Sequence, residues 1–291
     1  MTTVATNAPI IPVCPSLPRA TLAFARRELR EAVTSRWYPL YTIGFAILAM
    51  ATSFMSLAGS GSLGFAGFGR TAAGLLNLVM LIVPLMAMTA GASSIAGERE
   101  RGTLLYLRAQ PVSPLEVLLG KFLGLSVALC ASVCIGFGLS AAVLAWKAGG
   151  TGVGSFLMLV GLTCVLAVVM LSVGLLISVC TRKAGVATGV AVFTWLALVF
   201  MSDLGLMAGT IVFKLRVQEL FTLAMLNPIQ AFKMAVVTEL NASLDVLGPA
   251  GAYASRQYGA ALPWMLLGVL LAWGASCLSL AAVIFARRSP A

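Results

Sequence analysis

Between residues 97 and 121 the chain reads GERERGTLLYLRAQPVSPLEVLLGK, crowding charge, turn residues and a helix cap between two long apolar runs. Glu98, Arg99, Glu100 and Arg101 alternate in sign. They follow directly on an apolar run and are expected to stay hydrated. Gly102 permits a sharp turn, and Thr103 to Gln110 can form a short helix with Leu104, Leu105 and Leu107 on one side. Pro111 stops that helix. Ser113 and Glu116 have the S-x-x-E spacing of a capping box, with Pro114 at the favoured first helical position. A new helix is therefore predicted to start there and to run through Gly120 and Lys121 into the next apolar run. A short helix held between two long ones can carry a push from a cytosolic partner into both. The competing use of such a helix is to lie on lipid with no partner.

Other residues able to do chemistry are scarce. The sequence has no histidine, which removes Ser-His-Asp and Cys-His pairs and any HExxH zinc site. LLGKFLG around Lys121 lacks the upstream glycine and the following Ser or Thr of a phosphate-binding P-loop, so an ATPase that drives this chain must be another polypeptide. Asp203 is the one ionisable residue placed within an apolar run, which argues against an ion-coupled carrier. Met86 with Met88, and Cys130 with Cys134, would each set two soft ligands on or near one helix face, as suits Cu(I). Ordinary apolar filler explains them better, because no cluster gathers in one loop, and no metal site is assigned.

The elements that carry these residues follow from composition. The 291 residues are 60% hydrophobic and 10% charged, against about 25% charged in an average soluble protein. Apolar runs long enough to cross a bilayer recur near 37–58, 72–97, 121–146, 154–180, 186–212 and 260–286. They lack the two-residue alternation of barrel strands, so the fold class is all-α, a polytopic membrane protein of six spans. Arg19, Arg26, Arg27, Arg30, Arg36, Arg99, Arg101, Arg108, Lys121, Arg182, Lys183, Arg287 and Arg288 fall on one side of that arrangement, which places both termini in the cytoplasm. The net charge of +10 is thereby explained as orientation and attraction to anionic lipid, and no nucleic-acid partner is expected. Six cysteines, mostly inside spans, indicate no disulfide framework.

Residues 1–18 read as a disordered cytoplasmic tail, and 19–291 as one membrane domain. RATLAFARRELREAVTSRW repeats Leu22, Ala25, Leu29, Ala32 and Val33 at helical spacing, as in an amphipathic helix on the inner leaflet. Residues 213–259 hold two apolar stretches broken at Asn227 and Pro228, which read as two short helices, either on the outer face or dipping inward. Gly120 with Gly124, and Gly185 with Gly189, are small-xxx-small pairs, expected to serve packing within the chain rather than a dimer seam.

Gly97, Glu98, Glu100, Gly102, Thr103, Pro111, Gly120 and Lys121 resemble the signature of the type-2 ABC transporter permeases, and RRELREAVTSRW is similar to the elbow helix of that family. The resemblance covers nearly the whole chain. It implies a coupling helix between the second and third spans, seated on a cytosolic ATPase through Glu98, Arg99, Glu100, Arg101, Gly102, Thr103, Leu104, Leu107 and Arg108. Pro111, Ser113, Pro114, Glu116, Gly120 and Lys121 would form the turn and cap of the loop, and Arg27, Glu28, Leu29 and Arg36 the elbow. Also implied are two ATPase copies carrying ATP and Mg, no cofactor in this chain, a second copy of the chain, no catalytic residue, and a bacterial inner membrane location. SRWYPL, GSLGF, MLIVPLMAM and LNPIQAF resemble more narrowly the members that act with a periplasmic NosD-like protein in the copper-site maturation of nitrous oxide reductase. On that reading Asn227 and Pro228 belong to the periplasmic dock. The alternatives are an exporter of lipid, drug or another small molecule, an ion-coupled secondary carrier, and a scaffold that transports nothing.

Overall fold

The computed structural model describes residues 17–35, 37–59, 64–103, 113–148, 153–211, 216–239, 254 and 257–287. These residues are helical almost throughout. The helices are α1 Leu17–Thr34, α2 Trp37–Gly59, α3 Gly64–Glu100, α4 Pro114–Ala148, α5 Val153–Cys180, α6 Ala184–Ile211, α7 Val217–Met225, α8 Pro228–Glu239 and α9 Leu262–Arg287, the last entered through a 3-10 turn at Gly259–Ala261. Long apolar helices are what a chain in lipid must form, because each satisfies its own backbone groups where no water can. Segments of α3, α4, α5, α6 and α9 are long and apolar enough to cross a membrane; counting the bent pairs α1 with α2 and α7 with α8 as one span each raises the total from five to seven.

α3 and α5 form the centre, with α6 against α3, α9 against α5, and α2 and α4 on the other flank. The central crossing is close because glycines face each other there. A Cβ added at Gly91 would lie 2.7 Å from the Leu171 carbonyl oxygen, and one at Gly174 would run into the backbone of Met88. One turn further on, Ser178 Oγ accepts the N–H groups of Ile95 (3.0 Å) and Ala96 (2.9 Å), a polar tie between the two helices. Met86 and Met88 are buried in this core.

α2 and α4 are joined by hydroxyl contacts: Tyr38 donates to the Ala128 carbonyl (2.6 Å), Thr42 meets Ser132 (2.8 Å) and Ser53 meets Ser140 (2.6 Å). The partners rise together in number, so the two helices run parallel, as first and third spans of an alternating bundle would. Each such bond contributes about 0.6 kcal/mol in a membrane. Phe45, Phe137 and Phe156 continue the seam into α5 edge to face, at 5.5 and 5.6 Å between ring centroids.

The segment with two possible placements packs inside the bundle. α7 and α8 meet at 109°, and α8 buries Ile229, Phe232, Met234 and Val236 against α9 and α5. Asn227 builds the bend: its Oδ1 accepts the Ile229 N–H at 3.0 Å and its Nδ2 donates to the Leu198 carbonyl at 2.6 Å. Ser202 of α6 donates to Gln230 Oε1 at 2.6 Å, which satisfies a buried amide.

The α3–α5 crossing yields a test. Gly174→Leu forces two backbones apart and should cost about 1–3 kcal/mol by overpacking, read as a lower thermal unfolding midpoint in detergent. Gly161→Leu on the same α5, where a side chain meets open space, should leave the midpoint unchanged.

Candidate functional site

One end of the bundle brings together the last turn of α3, the first two turns of α4, the middle of α1 and the turn between α5 and α6. α4 starts as its sequence dictates. The Ser113 N–H donates to Glu116 Oε2 at 2.7 Å, the Glu116 N–H donates to Ser113 Oγ at 3.3 Å, and Pro114 opens the helix. α3 stops at Gly102, whose φ of 73° suits the left-handed residue that closes a helix. The Gly102 N–H donates to the Arg99 carbonyl at 3.2 Å, and Thr103 Oγ1 to the Glu98 carbonyl at 3.2 Å.

α1 lies across α4 because Gly120 and Gly124 leave it room. A Cβ at Gly120 would collide with Phe24, and one at Gly124 would lie 2.8 Å from the Glu28 Cβ. This glycine pair therefore serves packing within the chain. α1 turns Thr21, Phe24, Ala25 and Glu28 toward α4, while Leu22 remains 71% exposed and Val33 is exposed as well. A Cβ added at Gly185 or Gly189 would meet no other element within 4 Å among the described residues.

The close approach of α1 creates an ion network. Lys121 Nζ sits between Glu28 Oε2 at 2.8 Å and Glu98 Oε1 at 3.0 Å, with side-chain exposures of 4%, 12% and 7%. Arg27 approaches Glu98 at 3.9 Å and binds Glu31 at 2.8 Å in a half-exposed pair. Glu98 Oε2 is buried without a hydrogen-bond partner among the described residues. Glu98 is thus buried, contrary to the hydration expected from sequence, because α1 covers it and Lys121 supplies the countercharge that makes burial tolerable. Carboxylate oxygens of Glu28, Glu31 and Glu98 come within 4.8 Å of one another. Lys121 and Arg27 already supply the positive charge among them.

The neighbouring charges brace two other helices. Arg99 Nη1 donates to the Val179 and Thr181 carbonyls at 3.3 and 2.5 Å, capping the C-terminal end of α5. Glu100 Oε2 accepts the Ala184 N–H at 2.8 Å, at the start of α6. Arg101 returns to the Gly97 carbonyl at 3.2 Å. Glu100, Arg101 and Thr103 are exposed, as are Arg182 and Lys183 beside them. Glu98 and Arg99 therefore work inward, and Glu100, Arg101 and Thr103 also present an outer surface. Leu29 is half-buried on α1. Leu104, Leu107, Arg108, Pro111 and Arg36 lie outside the described residues.

Asn227 and Pro228 lie away from this end and are buried; the exposed side chain of that bend is Leu226, at 68%. Sequence reasoning missed the contacts of Glu28 with Lys121, of Arg99 with α5 and of Glu100 with α6. One signal was available, a lysine next to an apolar run, which must find a carboxylate.

Burial raises the Glu28 carboxyl above its ordinary value; Lys121 opposes the rise through charge and hydrogen bonding, and Glu98 and Glu31 add to it. A raised carboxyl favours the fold in its protonated form. Its contribution is complete below the ordinary value of 4.5 and is lost as the pH climbs through the raised one. Glu28→Gln, neutral at every pH, should therefore flatten the fall in thermal midpoint as the pH climbs above 4.5. Lys121→Met strands two carboxylates and should cost about 3–5 kcal/mol, measured the same way.

The sequence matches the family described as ABC-2 family transporter protein over residues 22–289. It is 32% identical over 270 residues to a probable ABC transporter permease protein NosY of Stutzerimonas stutzeri, and 30% identical over 270 residues to one of Pseudomonas aeruginosa. Each alignment covers 91% of this chain and 97% of the relative. A multi-helix apolar bundle with a braced, charged end, matched along nearly its whole length, belongs to the ABC-2 family of transporter permeases.

Proposed function

We propose that this chain is the membrane subunit of an ATP-driven ABC transporter, in which a separate cytosolic ATPase does the hydrolysis and this chain converts its movement into work across the membrane. The observation that carries the reading is the bracing of five helices at one end. Glu98 joins α3 to α4 through Lys121, Glu28 joins α1 to the same lysine, and Arg99 and Glu100 hold the α5–α6 turn. Residues 104–112 leave from the end of α3 and return at the start of α4. A load on that segment therefore reaches α1, α3, α4, α5 and α6 together. In this reading 104–110 is the coupling helix, Glu100, Arg101 and Thr103 flank its contact with the ATPase, and α1 is the elbow on the inner leaflet, with Leu22 and Val33 toward lipid.

The same reading takes α2, α3, α4, α5, α6 and α9 as the six spans, both termini as cytoplasmic, and α7–α8 as a hairpin dipping in from the outer side of a bacterial inner membrane. Two copies of the chain act with two ATPases carrying ATP and Mg. The likeness to permeases named NosY supports a NosY-type role, mechanical or transporting, in the copper-site maturation of nitrous oxide reductase. A periplasmic NosD-like protein would dock on the surface of 213–259, with Asn227 and Pro228 shaping the bend beneath it. Neither reading requires a catalytic residue or a cofactor in this chain.

The test is co-purification with the cognate ATPase in mild detergent, comparing the wild type with an Arg101→Glu, Arg108→Glu variant that inserts normally. Glu98 is unsuitable for this test because its substitution disturbs the buried network. We expect retention of the ATPase by the wild type and at least a tenfold loss in the variant, or about 1.4 kcal/mol. Equal retention would remove the coupling role from the segment, and no association with the wild type would overturn the ATP-driven reading.

A further inference from the structure

Glu98 is only half satisfied. Its Oε1 meets Lys121 Nζ at 3.0 Å, while its Oε2 is buried with no hydrogen-bond partner among the described residues. A carboxylate oxygen shut away from water without a donor is a standing cost to the fold. A second cation stands close by. Arg27 Nη2 lies 3.9 Å from Glu98 Oε1, about 1 Å longer than a charge-assisted hydrogen bond.

Arg27 is held back by another carboxylate. Its Nε donates to Glu31 Oε1 at 2.8 Å, one turn along α1, and both side chains are about half exposed. Exposed pairs at this spacing contribute little, because water serves each charge almost as well. The guanidinium thus divides itself between an outer carboxylate it can leave at small cost and an inner one that lacks a donor. Its donors lie in a fixed fork, so Nε and Nη2 can face different acceptors at once. Opposing effects keep the two positions close in free energy. Moving inward satisfies Glu98 Oε2, and it also strips water from the guanidinium, a desolvation that offsets most of the gain. Glu31, once released, returns to water.

The consequence falls on α1. It packs on α4 over Gly120 and Gly124, and the tie from Glu28 to Glu98 of α3 passes through Lys121, a residue of α4. Arg27 reaches Glu98 from α1 without that intermediary. We propose that Arg27 is a two-position latch between α1 and α3: open on Glu31, as in this structure, and closed on Glu98, where its guanidinium donates to Oε2 and draws α1 onto the end of α3. Residues 104–112 leave from that same end, so a displacement there changes the gap between Arg27 and Glu98 directly. Under the proposed function the latch passes the load on that segment to the elbow. The latch itself is a property of the chain alone and does not require an ATPase.

The test is hydrogen–deuterium exchange of the full chain in detergent, with no ATPase present, read by mass spectrometry on peptides from α1. Glu31→Gln removes the outer partner at an exposed position. Arg27 should then transfer to Glu98, and the α1 amides should exchange at least about threefold more slowly than in the wild type. A guanidinium that served only its own helix would give the opposite sign, because loss of an i,i+4 pair loosens α1. Adding Arg27→Gln to Glu31→Gln should abolish the slowing. Exchange in Glu31→Gln that is unchanged or faster, or slowing that survives Arg27→Gln, would overturn the proposal. None of these outcomes bears on association with an ATPase, so the latch and the proposed function fail separately.

Discussion

An ammonium group with almost no access to water, held between two carboxylates, is the constraint on which the charged end of this bundle depends. Lys121 can be buried only because Glu28 arrives from α1 and Glu98 from α3, at 2.8 and 3.0 Å. Both carboxylates can be desolvated only because the lysine is there. α1 must therefore lie across α4, and the glycines at 120 and 124 are what let it come close enough. The network is held tightly by two contacts and loosely by a third, because Arg27 stands 3.9 Å from Glu98. Among the described residues, none donates a hydrogen bond to Glu98 Oε2.

The charges next in sequence do different work, and together they turn the end of α3 into a junction. Arg99 meets the carbonyl end of α5 and Glu100 the amide end of α6, each with the sign that the helix terminus favours. An alternating run of four charges thus sends one side chain to the α1–α4 pair, one to α5, one to α6 and one back to its own helix. At the centre, by contrast, α3 and α5 touch backbone to backbone through glycines and share few polar groups. A stiff end and a closely packed centre suit the coupling role proposed for this chain.

Local sequence carried much of this, and distant contacts carried the rest. The start of α4 was legible because Ser113, Pro114 and Glu116 interact within one turn, and Gly102 was legible as a turn because few other residues accept its φ. The helical class followed from unbroken apolar runs. The burial of Glu98 was not legible, since it depends on Glu28 and Lys121, and those two are separated by 93 residues. The inward packing of α8 was equally hidden: helices apolar all round do not reveal which side faces lipid and which faces protein. Asn227 and Pro228 announced a bend, yet only the carbonyl of Leu198 shows why that bend is buried.

The junction of α1, α3 and α4 requires that Glu98 and Lys121 be energetically one unit. A double-mutant cycle tests it most directly: Glu98→Gln, Lys121→Met and the combined variant, each compared with the wild type for stability in detergent. If the network is as described, each single change strands a partner and the combined change costs much less than the sum, giving a coupling of at least about 1.5 kcal/mol within the usual range for contacting residues. Additive losses would mean that the two side chains do not depend on each other, and the junction of α1, α3 and α4 would have to be held by packing alone.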